Sequence, residues 1–174
     1  MIRIHTSRAV SVSASDTFAF LRQPQNHRRL TTKRIRLLEL DVTETGELSG
    51  ALMLIHGPLG LRRLARTRLE SAREPAHLLG TAWVGAGTEA RVRWDLRPLA
   101  GDHTMVTLTA TFISPAPLDR LLLLAGGRLW ARRLFADTLE RLAGQLTAPC
   151  AGAPARPSPV NAPVVPVADA GRAG

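Results

Sequence analysis

The chain reads as an α+β protein in which an antiparallel sheet curls around one long closing helix. Three observations carry that reading. Short strand-like segments separated by turn signals occupy residues 34–112. A single helical pattern follows, from Leu118 to Leu146. One strand and a short helical patch precede the sheet, over residues 2–30. A sheet closed by one helix leaves a space between them, so the order of elements predicts a container.

The first strand covers Ile2 to Val12, with Val10 and Val12 alternating against Ser11 and Ser13. Ser15 or Asp16 is placed to cap a short helix, because a short side-chain oxygen satisfies its free amides. Phe18 and Leu21 would face the core, Pro24 would break the helix, and Gln25 to Leu30 form a second short one. Strands two and three are Arg34 to Val42 and Leu48 to His56, joined by the turn Thr43-Glu44-Thr45-Gly46-Glu47. Gly57 to Gly60 turns again into strand four, Leu61 to Ser71, whose Ala65, Thr67 and Leu69 oppose Leu64, Arg66, Arg68 and Glu70. A turn at Arg73-Glu74-Pro75 leads to strand five, His77 to Val84, and Gly85-Ala86-Gly87 makes a hairpin turn.

Strand six has the clearest period of two. Ala90, Val92, Trp94 and Leu96 fall on one face, and Glu89, Arg91, Arg93, Asp95 and Arg97 on the other. Half-burial of an antiparallel sheet produces that alternation. After the Gly101-Asp102 turn, strand seven repeats it, with Val106, Leu108, Ala110 and Phe112 inward. The closing helix shows a core stripe of Leu118, Leu122, Ala125, Leu129, Phe135, Leu139, Leu142 and Leu146. Gly126-Gly127 interrupts it and predicts either a kink or a break into a short and a longer helix.

The 174 residues suit one domain able to bury a core without metals or disulfides. We place that domain at residues 1–147. The remainder, 148–174, holds six of the 12 prolines and no aromatic residue, a composition that predicts a disordered Pro/Ala-rich tail. The single cysteine, Cys150, lies in that tail and reads as a free thiol. The first residues lack the apolar core of a signal peptide. The longest apolar run, Leu121 to Ala125, falls far short of the ~20 residues needed to span a bilayer. A soluble, cytoplasmic protein is the expectation.

Net charge is +9 and Lys33 is the one lysine, so the basicity is arginine. Such a charge favours nucleic acid or anionic membrane, although solvated strand faces absorb much of it. The densest cluster is His27-Arg28-Arg29 with Lys33-Arg34 and Arg36. Scarce aromatics leave no evident stacking platform for RNA beside it.

The segment Arg8-Ala9-Val10-Ser11-Val12-Ser13-Ala14-Ser15-Asp16-Thr17-Phe18, the turn Gly57-Pro58-Leu59, and the run from Trp94-Asp95-Leu96-Arg97-Pro98 through Gly101-Asp102 to the closing helix resemble the SRPBCC superfamily. These are also called START-like or helix-grip proteins, and the closest likeness is to the polyketide cyclase/dehydrase and lipid-transport group. The resemblance covers residues 1–146. It implies a seven-stranded antiparallel sheet around a long C-terminal helix, two short helices after strand 1, and a cavity between sheet and helix. Members bind sterols, phospholipids, quinones, hormones or polyketides, and a few catalyse cyclisation or dehydration.

The leading expectation is therefore a binder or carrier of a hydrophobic small molecule. Trp83, Trp94, Val92, Thr67, Leu108 and Phe112 would line its pocket, with Leu123 and Trp130 at the mouth. Tryptophan surface suits flat or acyl ligands. Trp83 and Trp94 are equally at home as ordinary core residues, and the Thr67 hydroxyl can bond either a ligand carbonyl or its own backbone. Leu123 and Leu124 exceed what one helical face can bury, so a lip touching membrane beside Arg128, Arg132 and Arg133 is a further expectation. A second reading is a cyclase or dehydrase with His56 or His77 carrying protons and Arg63 or Arg91 steadying an enolate. The complete lack of tyrosine removes the phenol that aromatase/cyclase members use. The third is a ribosome- or RNA-associated module working through Arg28 to Arg36, since some bacterial relatives of this fold have the ribosome as partner. No catalytic residue is assigned. No metal pattern is present and no cofactor is expected, since Gly85-Ala86-Gly87 lacks the third glycine and following helix of a dinucleotide site.

Overall fold

A computed structural model describes residues 2–85 and 87–147. The tail 148–174, with Cys150, lies outside the described residues. The element order is β1 (Ile2–Val10), α1 (Ala14–Arg22), α2 (Pro24–Arg29), β2 (Ile35–Val42), β3 (Leu48–His56), β4 (Arg62–Arg73), β5 (His77–Val84), β6 (Thr88–Pro98), β7 (Thr104–Ser114), α3 (Pro117–Leu122) and α4 (Arg128–Thr147). A 3₁₀ turn at Pro58–Gly60 joins β3 to β4. The seven strands form one antiparallel sheet in the order β1-β7-β6-β5-β4-β3-β2. Only β1 joins out of sequence, pairing with β7 to bring the two ends of the fold together. No helix among the described residues is long and apolar enough to cross a membrane.

Local chemistry sets the boundaries, and several differ from expectation. Ser13, rather than Ser15 or Asp16, caps α1. Its Oγ accepts the Asp16 amide at 3.1 Å, which caps the helix, and donates to the Asp16 carboxylate at 2.8 Å, which holds the cap in place. β1 stops at Val10, short of Val12. The Thr104 hydroxyl donates to the Val12 carbonyl at 2.8 Å, so the chain there bonds a side chain instead of a ladder. Pro24 opens α2 rather than only ending α1, because its missing N–H costs nothing at a first helical position. β4 runs on to Arg73, past the expected Ser71, with a bulge between Leu69 and Ser71 that resets its register.

The closing helix is interrupted where Gly126-Gly127 predicts it, between α3 and α4. The chain kinks within Leu123–Gly127, where Ala125 (φ −82°, ψ 28°) and Gly126 (φ +106°, ψ −5°) leave the helical region, the latter a conformation open to glycine and strained for other residues. The kink changes the helical phase on either side of it. Leu118 and Leu129, expected in the core stripe, are 54% and 55% exposed, and Ala125 is exposed as well. Beyond the break, α4 buries Ala131, Leu134, Thr138, Leu139 and Leu142. The expected stripe assumed one phase from Leu118 to Leu146 and fits at Leu122 and from Phe135 onward.

The interior divides in two. At one end Phe18 and Leu21 of α1 share a buried cluster with Leu96 and Val106 of the sheet and Leu139 and Leu142 of α4. Each such side chain contributes roughly 1.5–3 kcal/mol by leaving water. A smaller cluster of Ile4, Leu123 and Ala131 ties β1 to the start of α4. Between these clusters and strands β2 to β5 the interior is not filled.

Candidate ligand cavity

Small side chains create the void. The pairing register sets Ala51, Thr67, Ala82, Ala90 and Phe112 side by side across β3, β4, β5, β6 and β7. The next row holds Leu69, Gly80, Val92 and Ala110. Alanine and glycine stand where a filled core would carry leucine or phenylalanine, and close packing is what those larger groups would supply. The result is a cavity of about 360 Å³, within the range of small-molecule sites. Its wall is overwhelmingly apolar and is closed on the helical side by Leu122, Leu123, Trp130, Leu134 and Phe135.

Of the eight residues expected at a ligand, Trp94, Val92, Thr67, Leu108, Phe112, Leu123 and Trp130 line this cavity. Trp83 does not. It is 43% exposed and stands opposite Arg66 and Glu89 on the outer face. At the end of β5 Ala82 and Val84 reach the cavity, which turns the intervening Trp83 outward. The Thr67 hydroxyl donates to the Ala51 carbonyl at 3.3 Å, so its proton is already used. Leu123 is buried in the wall, while Leu124 beside it is 61% exposed.

A polar cluster at one end of the cavity was not foreseen from the sequence. Asp119 of α3 is 8% exposed. It forms an ion pair with Arg63 at 2.8 Å and accepts a hydrogen bond from the Thr88 hydroxyl. The Thr88 oxygen in turn accepts the Ala116 amide at 2.9 Å. Arg63 also packs over Gly85, where an added Cβ would meet its Nη1 at 2.9 Å. This arrangement pins the start of α3 to the β4 and β6 strand ends. Arg63, Thr88 and Asp119 all line the cavity. One carboxylate engages one Nη, and a guanidinium has five donors, so Arg63 keeps N–H groups for a ligand. With Asp119 opposite, the pair has no net charge. It suits a neutral acceptor such as a carbonyl or hydroxyl better than a free carboxylate. A lone acid in the apolar stretch Leu118 to Ala125 was the available signal for Asp119.

His27 is a second polar wall residue, and it leaves the expected basic cluster. Its Nε2 lies 2.6 Å from the Leu21 carbonyl, to which the ring donates. Burial pushes the imidazole below its ordinary value, with a smaller opposing effect from the Leu21 hydrogen bond. The ring is therefore neutral in the fold and gains a proton on unfolding at acid pH. Stability should hold level above pH 6.5 and fall below it, by at most about 1.4 kcal/mol per pH unit. Melting curves between about pH 5 and 8 should show that slope for the wild type and a shallower one for His27→Gln. Equal slopes would remove His27 as the cause.

The other charged candidates lie elsewhere. Arg34 of the basic cluster pairs with Asp137 at 3.0 Å, whereas Arg28, Arg29, Lys33 and Arg36 are exposed. His56 and His77 are half-buried at strand ends, and neither lines the cavity. Arg91 is exposed on the outer face, so of the two arginines considered for an enolate only Arg63 reaches the cavity. Among the described residues no three His, Cys, Asp or Glu side chains gather as metal ligands would.

Solved structures share this architecture. A protein from Thermus thermophilus superposes with a TM-score of 0.68 at 16% identity, over 83% of this chain and 97% of its own. A START superfamily protein from Mycobacterium smegmatis gives 0.58 at 16% identity, over 83% and 93%. A protein of the dynemicin biosynthetic locus gives 0.58 at 16% identity, with 84% of this chain covering 47% of that one. This chain therefore spans about half of that last protein. No protein-family model and no curated protein sequence matches the chain. The molecule therefore has a START-like, helix-grip fold, with an apolar cavity between sheet and helix.

Proposed function

We propose that this protein binds a hydrophobic small molecule, a lipid, quinone or polyketide-like compound, in the cavity between its sheet and closing helix. The observation that carries this reading is a cavity of about 360 Å³ that is apolar nearly throughout yet holds one satisfied polar cluster at its end. Burial of apolar ligand surface would drive binding. A carbonyl or hydroxyl bonded to Arg63 would fix the ligand's direction. Trp94, Val92, Leu108, Phe112, Leu123 and Trp130 would shape its apolar part, with Thr67 as small filler on the sheet wall. Residues 1–147 would act as the binding domain, as a carrier or a sensor.

The two tryptophans on opposite faces of the sheet give a paired test. Trp94→Ala is expected to weaken binding by about tenfold or more, a loss of about 1.4 kcal/mol. Trp83→Ala should leave binding unchanged, since its side chain is outside. Titration of each variant, beside melting curves, separates binding from folding. A larger binding loss in Trp83→Ala would sink the assignment of the cavity.

A cyclase or dehydrase reading keeps one specific support. His27 lines the cavity with Nε2 donating to Leu21, which leaves Nδ1 as an acceptor for a proton. Arg63 at the same cavity can steady an enolate oxygen. Turnover of a polyketone that disappears in His27→Ala would favour this reading over simple carriage.

A further inference from the structure

The outer side of the α3–α4 junction carries an apolar patch that the cavity does not explain. Leu118, Leu121 and Leu124 recur at every third residue and are 54%, 61% and 61% exposed. Leu129, just past the break, is 55% exposed. Soluble monomers rarely leave such a run of large apolar groups in water without a use. On its other side the same segment presents Leu122, Leu123 and Gly127 to the cavity. One thickness of helix therefore separates the interior from this surface.

The exposed charges along this segment have one sign. From Ile113 to Phe135 the only acid is Asp119, which is buried against Arg63 and Thr88. Arg120, Arg128, Arg132 and Arg133 are all exposed, and none forms an ion pair among the described residues. A second copy docking patch to patch would bring arginine against arginine. A surface of anionic headgroups over an apolar interior complements both features.

We propose that the segment Leu118 to Arg133 docks the protein on an anionic lipid bilayer. The leucines would enter the boundary between headgroups and acyl chains, and the arginines would bind phosphate above it. The proposal stands on this surface and holds whether or not the cavity carries a ligand.

Vesicle flotation of the full chain tests it. The probes are phosphatidylcholine vesicles with roughly one-third phosphatidylglycerol, and vesicles of phosphatidylcholine alone. The wild type should float with the first and much less with the second. Leu121→Ser with Leu124→Ser should lower the bound fraction at least about tenfold. Arg128→Gln, Arg132→Gln and Arg133→Gln should each reduce binding to anionic vesicles about fivefold, with little effect on the neutral ones. All five positions are exposed, so melting temperatures should stay near wild type. If the leucine variant misfolds, the arginine series still decides. Failure of the wild type to bind anionic vesicles overturns the proposal, and so does unchanged binding of a folded leucine variant. A concentration-dependent dimer that the leucine variant abolishes, without vesicle binding, overturns it in favour of a second copy.

Discussion

Phenylalanine in place of Ala82 is expected to abolish ligand binding while leaving the fold standing. Ala82 is 6% exposed and lines the cavity, flanked across the sheet by Thr67 and Ala90. Both neighbours are small, so the added ring has empty space to enter. In a filled core such a change costs about 1–3 kcal/mol through overpacking. Here the ring takes the place of a ligand, and the stability change should stay under about 2 kcal/mol in either direction. Binding should fall at least about a hundredfold, a difference of about 2.7 kcal/mol. Isothermal titration beside a melting curve measures both. A variant that melts far below wild type would mean the space is already occupied by side chains. A variant that binds normally would mean the ligand sits elsewhere.

Removal of the Asp119 carboxylate is expected to be the most damaging single change at the site. Asp119→Ala leaves Arg63, whose side chain is 21% exposed, without its partner, and takes the acceptor from Thr88. Breaking a buried pair from one side costs about 3–5 kcal/mol, and the partial exposure of Arg63 favours the lower end. At roughly 2–4 °C per kcal/mol for a chain of this size, melting should drop by about 6–12 °C. The double variant Arg63→Met, Asp119→Leu should recover much of that loss, because an apolar pair strands no charge. It should still bind ligand poorly, having lost the donor at the cavity end. A double variant as unstable as Asp119→Ala would show that the destabilisation comes from loosening α3, not from the stranded guanidinium.

The parts of the fold that were legible in the sequence share one property: a polar face to contrast with the apolar one. β6 sets Ala90, Val92, Trp94 and Leu96 against arginines and acids, and β7 does the same with threonines. Both faces follow from alternation alone. β5 has no such contrast. In His77-Leu78-Leu79-Gly80-Thr81-Ala82-Trp83-Val84 either face can be inside, and the largest side chain drew the expectation to the wrong one. Register decides the matter, by setting Ala82 against Thr67 and Ala90.

Part of the core stripe of the closing helix was misplaced for a related reason. Gly126-Gly127 marks an interruption, yet a period of 3.6 does not say how far a kink rotates the helix that follows it. The stripe was therefore right from Phe135 onward and wrong at Leu118, Ala125 and Leu129 around the break. His27 was hidden inside a run of basic residues that reads as surface, and only the packing of α2 under the sheet turns its ring inward. The pairing of Arg63 with Asp119 joins two distant parts of the chain and has no local signature. The alanines were visible. Ala51, Ala65, Ala82, Ala90 and Ala110 all fall at inward strand positions, and so many small residues there signal unfilled space.

Whether the cavity is a ligand site is best decided by native mass spectrometry. The wild type and Ala82→Phe would be purified gently, incubated with a total extract of membrane lipids and quinones, and weighed intact and after denaturation. A cavity that takes a ligand gives a defined added mass on the wild type, lost on denaturation and missing from Ala82→Phe. A wild type that weighs as the bare chain after that incubation would contradict the assignment. An added mass carried equally by Ala82→Phe would do the same, by placing the bound molecule outside the cavity.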